Sequence, residues 1–213
     1  YVFNKLAKGL VGSNNIDSNS RLCMSSAVAG YKQSLGADAP PCCFDDVDHA
    51  DTLFITGSNT ADAHPVLFRR IEAAKARRAT TDAPLKVIVV DPRRTDTTEI
   101  ADLHLQIQPG IDVMLFNGML HLMLWEGWVD QAFIDAHTSG FAELKTLLRD
   151  YTPAVVAQTC GISQDDLLTA ARWFSGVEQA PTRGRTLSLY CQGLNQSTHG
   201  TANNTALLNL HLA

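Results

Sequence analysis

Leu85-Lys-Val-Ile-Val-Val-Asp91, closed by Pro92, is the stretch that decides the fold. Val87 to Val90 are β-branched and wholly apolar. Such residues are stiff at χ1 and favour an extended chain. A strand with one wet face would alternate apolar with polar. A continuous apolar run suits a parallel strand buried on both faces. Pro92 cannot donate to a ladder and ends the strand. Upstream, Asp51-Thr-Leu-Phe-Ile-Thr56 is a second such run, ending in Gly57-Ser58-Asn59. Between the two, His64 to Arg78 reads as a helix with Pro65 in its first turn, where a missing N–H costs nothing. Downstream, Leu103 to Ile107 reads as a third strand before Gln108-Pro109-Gly110, and Thr186 to Cys191 as a further strand before Gln192-Gly193.

Strands alternating with helices predict an α/β fold, a largely parallel sheet with flanking helices. Val113 to Trp128 is the most apolar segment; Asn117, Gly118, His121 and Glu126 break it. It falls short of the ~20 apolar residues of a membrane span and reads as a buried helix capped by Asp112. Two or three short helices fill residues 130–176, the best marked starting at Ser163 with Asp166 three residues on. A last helix begins near Thr201. At the other end, residues 1–12 suggest a helix stopping near Gly12, Ser13 to Ser20 a loop, and Met24 to Leu35 a helix. Cys23 therefore falls at or just before a helix N-terminus. Gly36 to Asp46 reads as a loop.

The 213 residues suffice for one large α/β domain or two small ones. Hydrophobic residues make up 45% and charged residues 18%, which excludes a disordered chain. A net charge of −5 gives no electrostatic reason to bind nucleic acid. Position 1 is Tyr and the last apolar helix pattern stops without a breaker, so the chain reads as an internal fragment, residues 1–213 forming one piece. The five cysteines, Cys23, Cys42, Cys43, Cys160 and Cys191, contain no CxxC pair, hence no zinc ribbon or iron–sulfur run. Cys160 and Cys191 read as buried small hydrophobes, Cys42 and Cys43 as loop residues. His121 reads as a satisfied core histidine and His64 as structural. No GxSxG surrounds any serine.

Each strand ends in a polar turn containing glycine or proline: Gly57-Ser58-Asn59, Asp91-Pro92-Arg93-Arg94, Gln108-Pro109-Gly110-Ile111-Asp112 and Gln192-Gly193-Leu194-Asn195-Gln196. Ligands of open α/β sheets bind beyond the carboxyl ends of the strands. Glycine admits a phosphate close to the backbone, and an aspartate can accept from a ribose hydroxyl or a guanine edge. The set predicts a nucleotide-like ligand. GxGxxG and GxxxxGK[ST] are absent, which disfavours NAD, FAD and ATP. A non-catalytic nucleotide-binding module is one reading left open.

Asn14-Asn-Ile-Asp-Ser-Asn19-Ser-Arg-Leu-Cys23-Met24-Ser-Ser-Ala27 resembles the active-site segment of nitrate reductases with a bis-(molybdopterin guanine dinucleotide) molybdenum centre. Thr56-Gly-Ser-Asn59 with His64-Pro65, then Val90-Asp91-Pro92-Arg93-Arg94-Thr95, Gln108-Pro-Gly-Ile-Asp112, and Gln192-Gly-Leu-Asn-Gln196 with Gly200 and Asn203-Asn204 resemble that family's later cofactor segments, in the same order. The resemblance spans nearly the whole chain. It implies that Cys23 gives a thiolate to molybdenum, a soft ligand for a sulfur-rich site, with Met24 beside the metal. It implies pterin and phosphate contacts at Asn19, Gly57, Ser58 and Asn59, and guanosine contacts at Asp91 and Asp112, with Arg93, Gln108 and Gly110 in the same turns. Gln192, Gly193 and Gln196 would stand on the pterin side.

Formate dehydrogenases of this superfamily usually carry His after the metal-binding residue. Met24 resembles nitrate reductases instead, and the Asp-Pro-Arg-Arg-Thr turn resembles their assimilatory branch. Ile111 departs from the small polar residue common there. The resemblance implies reduction of nitrate to nitrite in nitrate assimilation, in the cytoplasm, with formate dehydrogenase as the alternative. It further implies a 4Fe-4S cluster ligated outside this piece, and an electron-donor protein or reductase subunit as partner. No nucleic acid and no membrane span are expected, nor activity from the isolated piece.

Overall fold

The computed structural model describes residues 1–179 and 182–213. Its longer helices are α1 (Ser25–Leu35), α2 (Pro65–Arg78), α3 (Asp112–Trp125), α4 (Pro153–Cys160), α5 (Gln164–Ser175) and α6 (Gly200–Leu212). Four strands, β1 (Thr52–Thr56), β2 (Lys86–Val90), β3 (Leu103–Leu105) and β4 (Thr186–Tyr190), form one all-parallel sheet in the order β3-β2-β1-β4.

The α/β expectation holds, and the side-chain pattern shows why. Successive strand residues point to opposite faces. Phe54, Ile88, Val90 and Leu105 meet α3, α4, α5 and α6 through Leu115, Phe116, Met119, Val156, Phe174 and Leu207. Leu53, Ile55, Val87 and Val89 face the other way, onto Ile71 and Ala74 of α2 and onto Val47. Both faces of β1 and β2 are dry, so neither strand can alternate with polar residues. Phe54 is fully buried, its ring edge-on to Phe116 and Phe174. Burying one such side chain stabilises the fold by about 2–3 kcal/mol.

Several boundaries differ from the sequence expectation. The third strand stops at Leu105, because the N–H of Ile107 turns back to the carbonyl of Leu105 and that of Gln108 bonds the carbonyl of Cys160. Residues 130–176 hold four helices rather than two or three: Gln131–His137, Phe141–Leu147, α4 and α5. Left-handed Gly140 and Gly161 and the first-turn Pro153 divide them. Ser163 does cap α5, its Oγ accepting from the N–H of Asp166 at 3.0 Å. Asp112 does not cap α3; Ile111 holds the cap position, partly buried against the core and without a side-chain cap bond. Residues 2–11 are helical, mostly in a π-type wind over Lys5–Val11, and stop at left-handed Gly12.

His121 is the satisfied core histidine expected: Nδ1 lies 2.8 Å from the Leu148 carbonyl and its ring stacks on Trp125. Cys160 is buried, Cys42 and Cys43 are exposed, and Cys191 is half-buried rather than buried. Among the described residues no helix is long and apolar enough to cross a membrane.

Candidate functional site

Strand order reverses between β1 and β4, the switch point beyond whose carboxyl ends open α/β sheets form a ligand crevice. Two glycines set its floor. Gly57, at φ +58°, adopts the left-handed conformation that side chains resist. A Cβ there would stand 2.7 Å from the Leu194 nitrogen, and one on Gly193 would stand 2.6 Å from the Gly57 Cα. The loops therefore meet backbone to backbone. The Gly193 N–H donates to the Gly57 carbonyl at 3.0 Å, and the Gly57 N–H to the Val90 carbonyl at 3.1 Å.

On one side of this seam lies a cavity of about 250 Å³. It gathers most of the residues singled out at the strand ends. Gly57 and Asn59 come from the β1 loop, Asp91 and Arg93 from the β2 loop, Gln108, Gly110 and Asp112 from the β3 loop, and Gly193 from the β4 loop. Asp91 is buried, and its Oδ1 accepts from the Arg93 N–H at 2.8 Å, the local turn that keeps the carboxylate at the strand end. His104 Nε2 sits 2.9 Å from the Asp91 carbonyl. Asp112, released from capping, is half-buried. Burial first, and then the nearby Asp91 charge, push its carboxyl above the usual carboxylate range.

Asn59 is held on both sides: Nδ2 donates to Asp62 at 2.6 Å, and Oδ1 accepts from the Thr97 hydroxyl at 2.9 Å. Ser58 is buried with its hydroxyl 3.0 Å from that of Thr60, away from the cavity lining. Cys160, behind the Gln108 turn, has its thiol pushed up to about 11, mainly by burial and then by Asp112, and is chemically quiet.

On the other side of the seam stands Cys23. It closes the one-turn helix Ser20–Cys23; Met24, 40% exposed and non-helical at φ −126°, separates it from α1. Cys23 thus precedes the α1 N-terminus by two residues, close to where the sequence put it. Its sulfur meets the β4 loop: Gln196 Nε2 donates at 3.2 Å and Gln192 Nε2 lies 3.8 Å away. Asn195, buried, donates to the Cys23 carbonyl at 2.8 Å. Asn19 is exposed, and its carbonyl accepts from the Leu22 and Cys23 N–H groups in the turn that presents the cysteine.

Cys23, Gln192 and Gln196 are brought together; Asp91, Asp112, Asn59 and Gln108 are brought together; the Gly57–Gly193 seam joins the two groups. Asn195, Thr97 and His104 were missed by sequence reasoning. Asn195 lay inside a quoted motif. Thr97 and His104 carry no local signal, since their roles are bonds to other loops.

The whole chain, residues 1–213, matches the family model described as molybdopterin oxidoreductase. It belongs to that family. A nitrate reductase of Synechocystis sp. is 46% identical over 212 residues, covering 100% of this chain and 28% of that protein. A periplasmic nitrate reductase of Desulfovibrio desulfuricans is 42% identical over 221 residues, covering 100% and 28%. An F420-dependent formate dehydrogenase 1 subunit alpha of Methanococcus maripaludis is 37% identical over 210 residues, covering 99% and 29%. Among solved structures, acetylene hydratase from Pelobacter acetylenicus superposes with a TM-score of 0.78 at 26% identity, over 95% of this chain and 26% of that one. The chain thus spans about a quarter of the length of the proteins it matches.

Proposed function

We propose that this chain is an internal part of the catalytic subunit of a molybdenum nitrate reductase, with Cys23 the protein ligand to the metal. The carrying observation is the Cys23 sulfur, faced by two amide donors on the loop whose Gly193 also lines the cavity that gathers two aspartates. Among the described residues no group of three or more His, Cys, Asp or Glu side chains is arranged to hold a metal. A molybdenum–pterin centre would bring its remaining ligands with it, so that Cys23 alone would serve as the ligand from this chain.

The residues fit such a group. A thiolate is a soft donor, and the Gln196 and Gln192 side-chain amides face the sulfur. Neither residue of the Gly57–Gly193 seam carries a side chain, and an elongated cofactor would lie across them. Asp91 and Asp112 would take the guanine end of a guanine dinucleotide, with Gln108, Gly110 and Arg93 around it. Asn59 and Gly57 would line the phosphates, with Asn19 and Ser58 shaping the adjoining turns through their backbones. Gln192, Gly193 and Gln196 would flank the pterin near the metal.

When bound, the group supplies two-electron chemistry: nitrate, two electrons and two protons give nitrite and water. Cys23 holds the centre, the glutamines orient its sulfur, and Met24 narrows the approach for substrate. The protein supplies binding, orientation and tuning. Electrons would come from a 4Fe-4S cluster and a donor protein or reductase subunit outside this chain. Assimilation in the cytoplasm is the role we favour, from the Asp91-Pro-Arg-Arg-Thr95 turn. The formate dehydrogenase relative favours formate oxidation as the second reading.

The test is metal and pterin analysis of the full-length protein purified without air, followed by paired assays. Molybdenum with two pterin guanine dinucleotides per subunit, and nitrate reduction well above formate oxidation, is the expected result. Formate turnover without nitrate turnover would replace the substrate. Absence of molybdenum in protein from a cofactor-competent host would overturn the proposal.

A further inference from the structure

Resting on the proposed ligand role of Cys23, we infer that Asn195 is a positioning residue that fixes the Cys23 main chain and thereby aims its sulfur. Cys23 is the last residue of a one-turn helix, and the final carbonyls of a helix lack an intrahelical donor. In an uninterrupted helix running on into α1, the Cys23 carbonyl would accept from the N–H of Ala27, four residues on. That helix does not form. The chain kinks at Met24, φ −126° and ψ 21°, and the Cys23 carbonyl points to the Asn195 amide at 2.8 Å. Asn195 thus stabilises the break between the two helices. With the break held, the peptide plane after Cys23 is fixed and only χ1 of the cysteine stays free. Gln196, from the next position of the same turn, addresses that last freedom through the sulfur at 3.2 Å.

The Asn195 turn is itself braced. The Gly193 N–H bonds the Gly57 carbonyl, and buried Asn203 of α6 donates through Nδ2 to the Leu194 carbonyl at 2.9 Å. Gly200 lies against Ser26 of α1 and the Asn195 carbonyl with no room for a Cβ. The position of the thiol is therefore set by the β4–α6 loop rather than by the short helix that carries it. Loss of Asn195 frees the helix break and lets the sulfur leave its two amides.

The experiment uses the full-length protein made without the pterin cofactor. Alkylation of Cys23 by iodoacetamide is followed at its own peptide by mass spectrometry, with the global unfolding midpoint measured alongside. Asn195→Asp keeps the size and sets an acceptor against the carbonyl; Asn195→Ser shortens the side chain and is the milder variant should the first fold poorly. Either variant is expected to alkylate at Cys23 about threefold faster or more, since local opening governs access to a half-buried thiol. Ser175→Ala is the control, a buried hydroxyl of α5 bonded to the Arg172 carbonyl at 2.8 Å; it should leave the Cys23 rate unchanged. In cofactor-loaded protein, Asn195→Ser should lower molybdenum per subunit. Wild-type alkylation rates in both Asn195 variants would overturn the inference. Cys23→Ser retaining full molybdenum would instead sink the ligand assignment while leaving the Asn195 measurement to stand, so the two failures are distinguishable.

Discussion

The two ends of the crevice are built from opposite materials. The carboxylate end is made of strand-end turns, and its side chains are held mostly by bonds to their own or an adjacent loop, as Asp91 is by the Arg93 N–H. The sulfur end is made of distant side chains: Cys23 depends on Gln192, Asn195 and Gln196, all on one loop across the crevice. The first carries carboxylates and encloses a cavity; the second is faced by amides and presents one soft atom. One end can therefore recognise a polar, hydrogen-bonding moiety while the other forms a covalent or coordinate bond, and a mutation at either end should leave the other intact.

That independence can be broken or sharpened by experiment, from the largest effect to the smallest. Cys23→Ala in the full-length protein should abolish molybdenum retention and nitrate turnover, while the unfolding free energy of the cofactor-free protein changes by no more than about 0.5 kcal/mol, because the residue is half-buried and its thiol fills no core. Wild-type turnover in that variant would refute the ligand role. Gly57→Val strikes the seam and should disable both ends together. It imposes a strained φ and a clash with Leu194 and Gly193, at a cost of about 2–4 kcal/mol by urea denaturation. A neutral result would mean that the loops part easily.

Thr97→Val keeps the shape of a buried residue and removes the hydroxyl between Asn59 and the Ala61 N–H. It should cost about 1–2 kcal/mol and weaken nucleotide retention without changing Cys23 alkylation; a changed alkylation rate would show the ends to be coupled. Asp112→Asn gives the smallest effect, visible mainly as a pH dependence. The folded carboxyl titrates above its ordinary value of 3.8, so ionisation is less favourable in the folded than in the unfolded chain. Stability of the wild type is fully present below about 4 and declines as pH rises to the raised folded value. The asparagine variant does not titrate, so its advantage should grow between pH 4 and 7. An equal difference at both pH values would remove burial of charge as the cause.

The carboxylate end was largely legible in the sequence because its signals are local. Apolar runs named the strands, and the glycine and proline turns after them named the residues that line the cavity. Val87 to Val90 gave the parallel sheet correctly, since only a strand dry on both sides can spare every polar side chain. Asp112 misled as a cap because helix propensity cannot reveal that Ile111 packs against the core and takes that position. The sulfur end was legible only in part. Cys23 stood out by resemblance, and Gln192 and Gln196 with it, but nothing in the spacing says that their amides meet the sulfur or that Asn195 bonds the carbonyl. The strand order, which puts β4 beside β1 and so creates the crevice, is a pairing of segments far apart in the chain and leaves no periodic trace.

The separation between Cys23 and its neighbours also has a consequence in time. Gln192 is 169 residues further along the chain. At synthesis rates of about 5–20 residues per second, the ribosome takes roughly 10–30 seconds to make that interval. During it the cysteine emerges with no amide facing its sulfur and no asparagine on its carbonyl. The thiol is made early and sheltered late, so the newborn polypeptide passes through a window in which oxidation or a stray metal can claim it before the fold does.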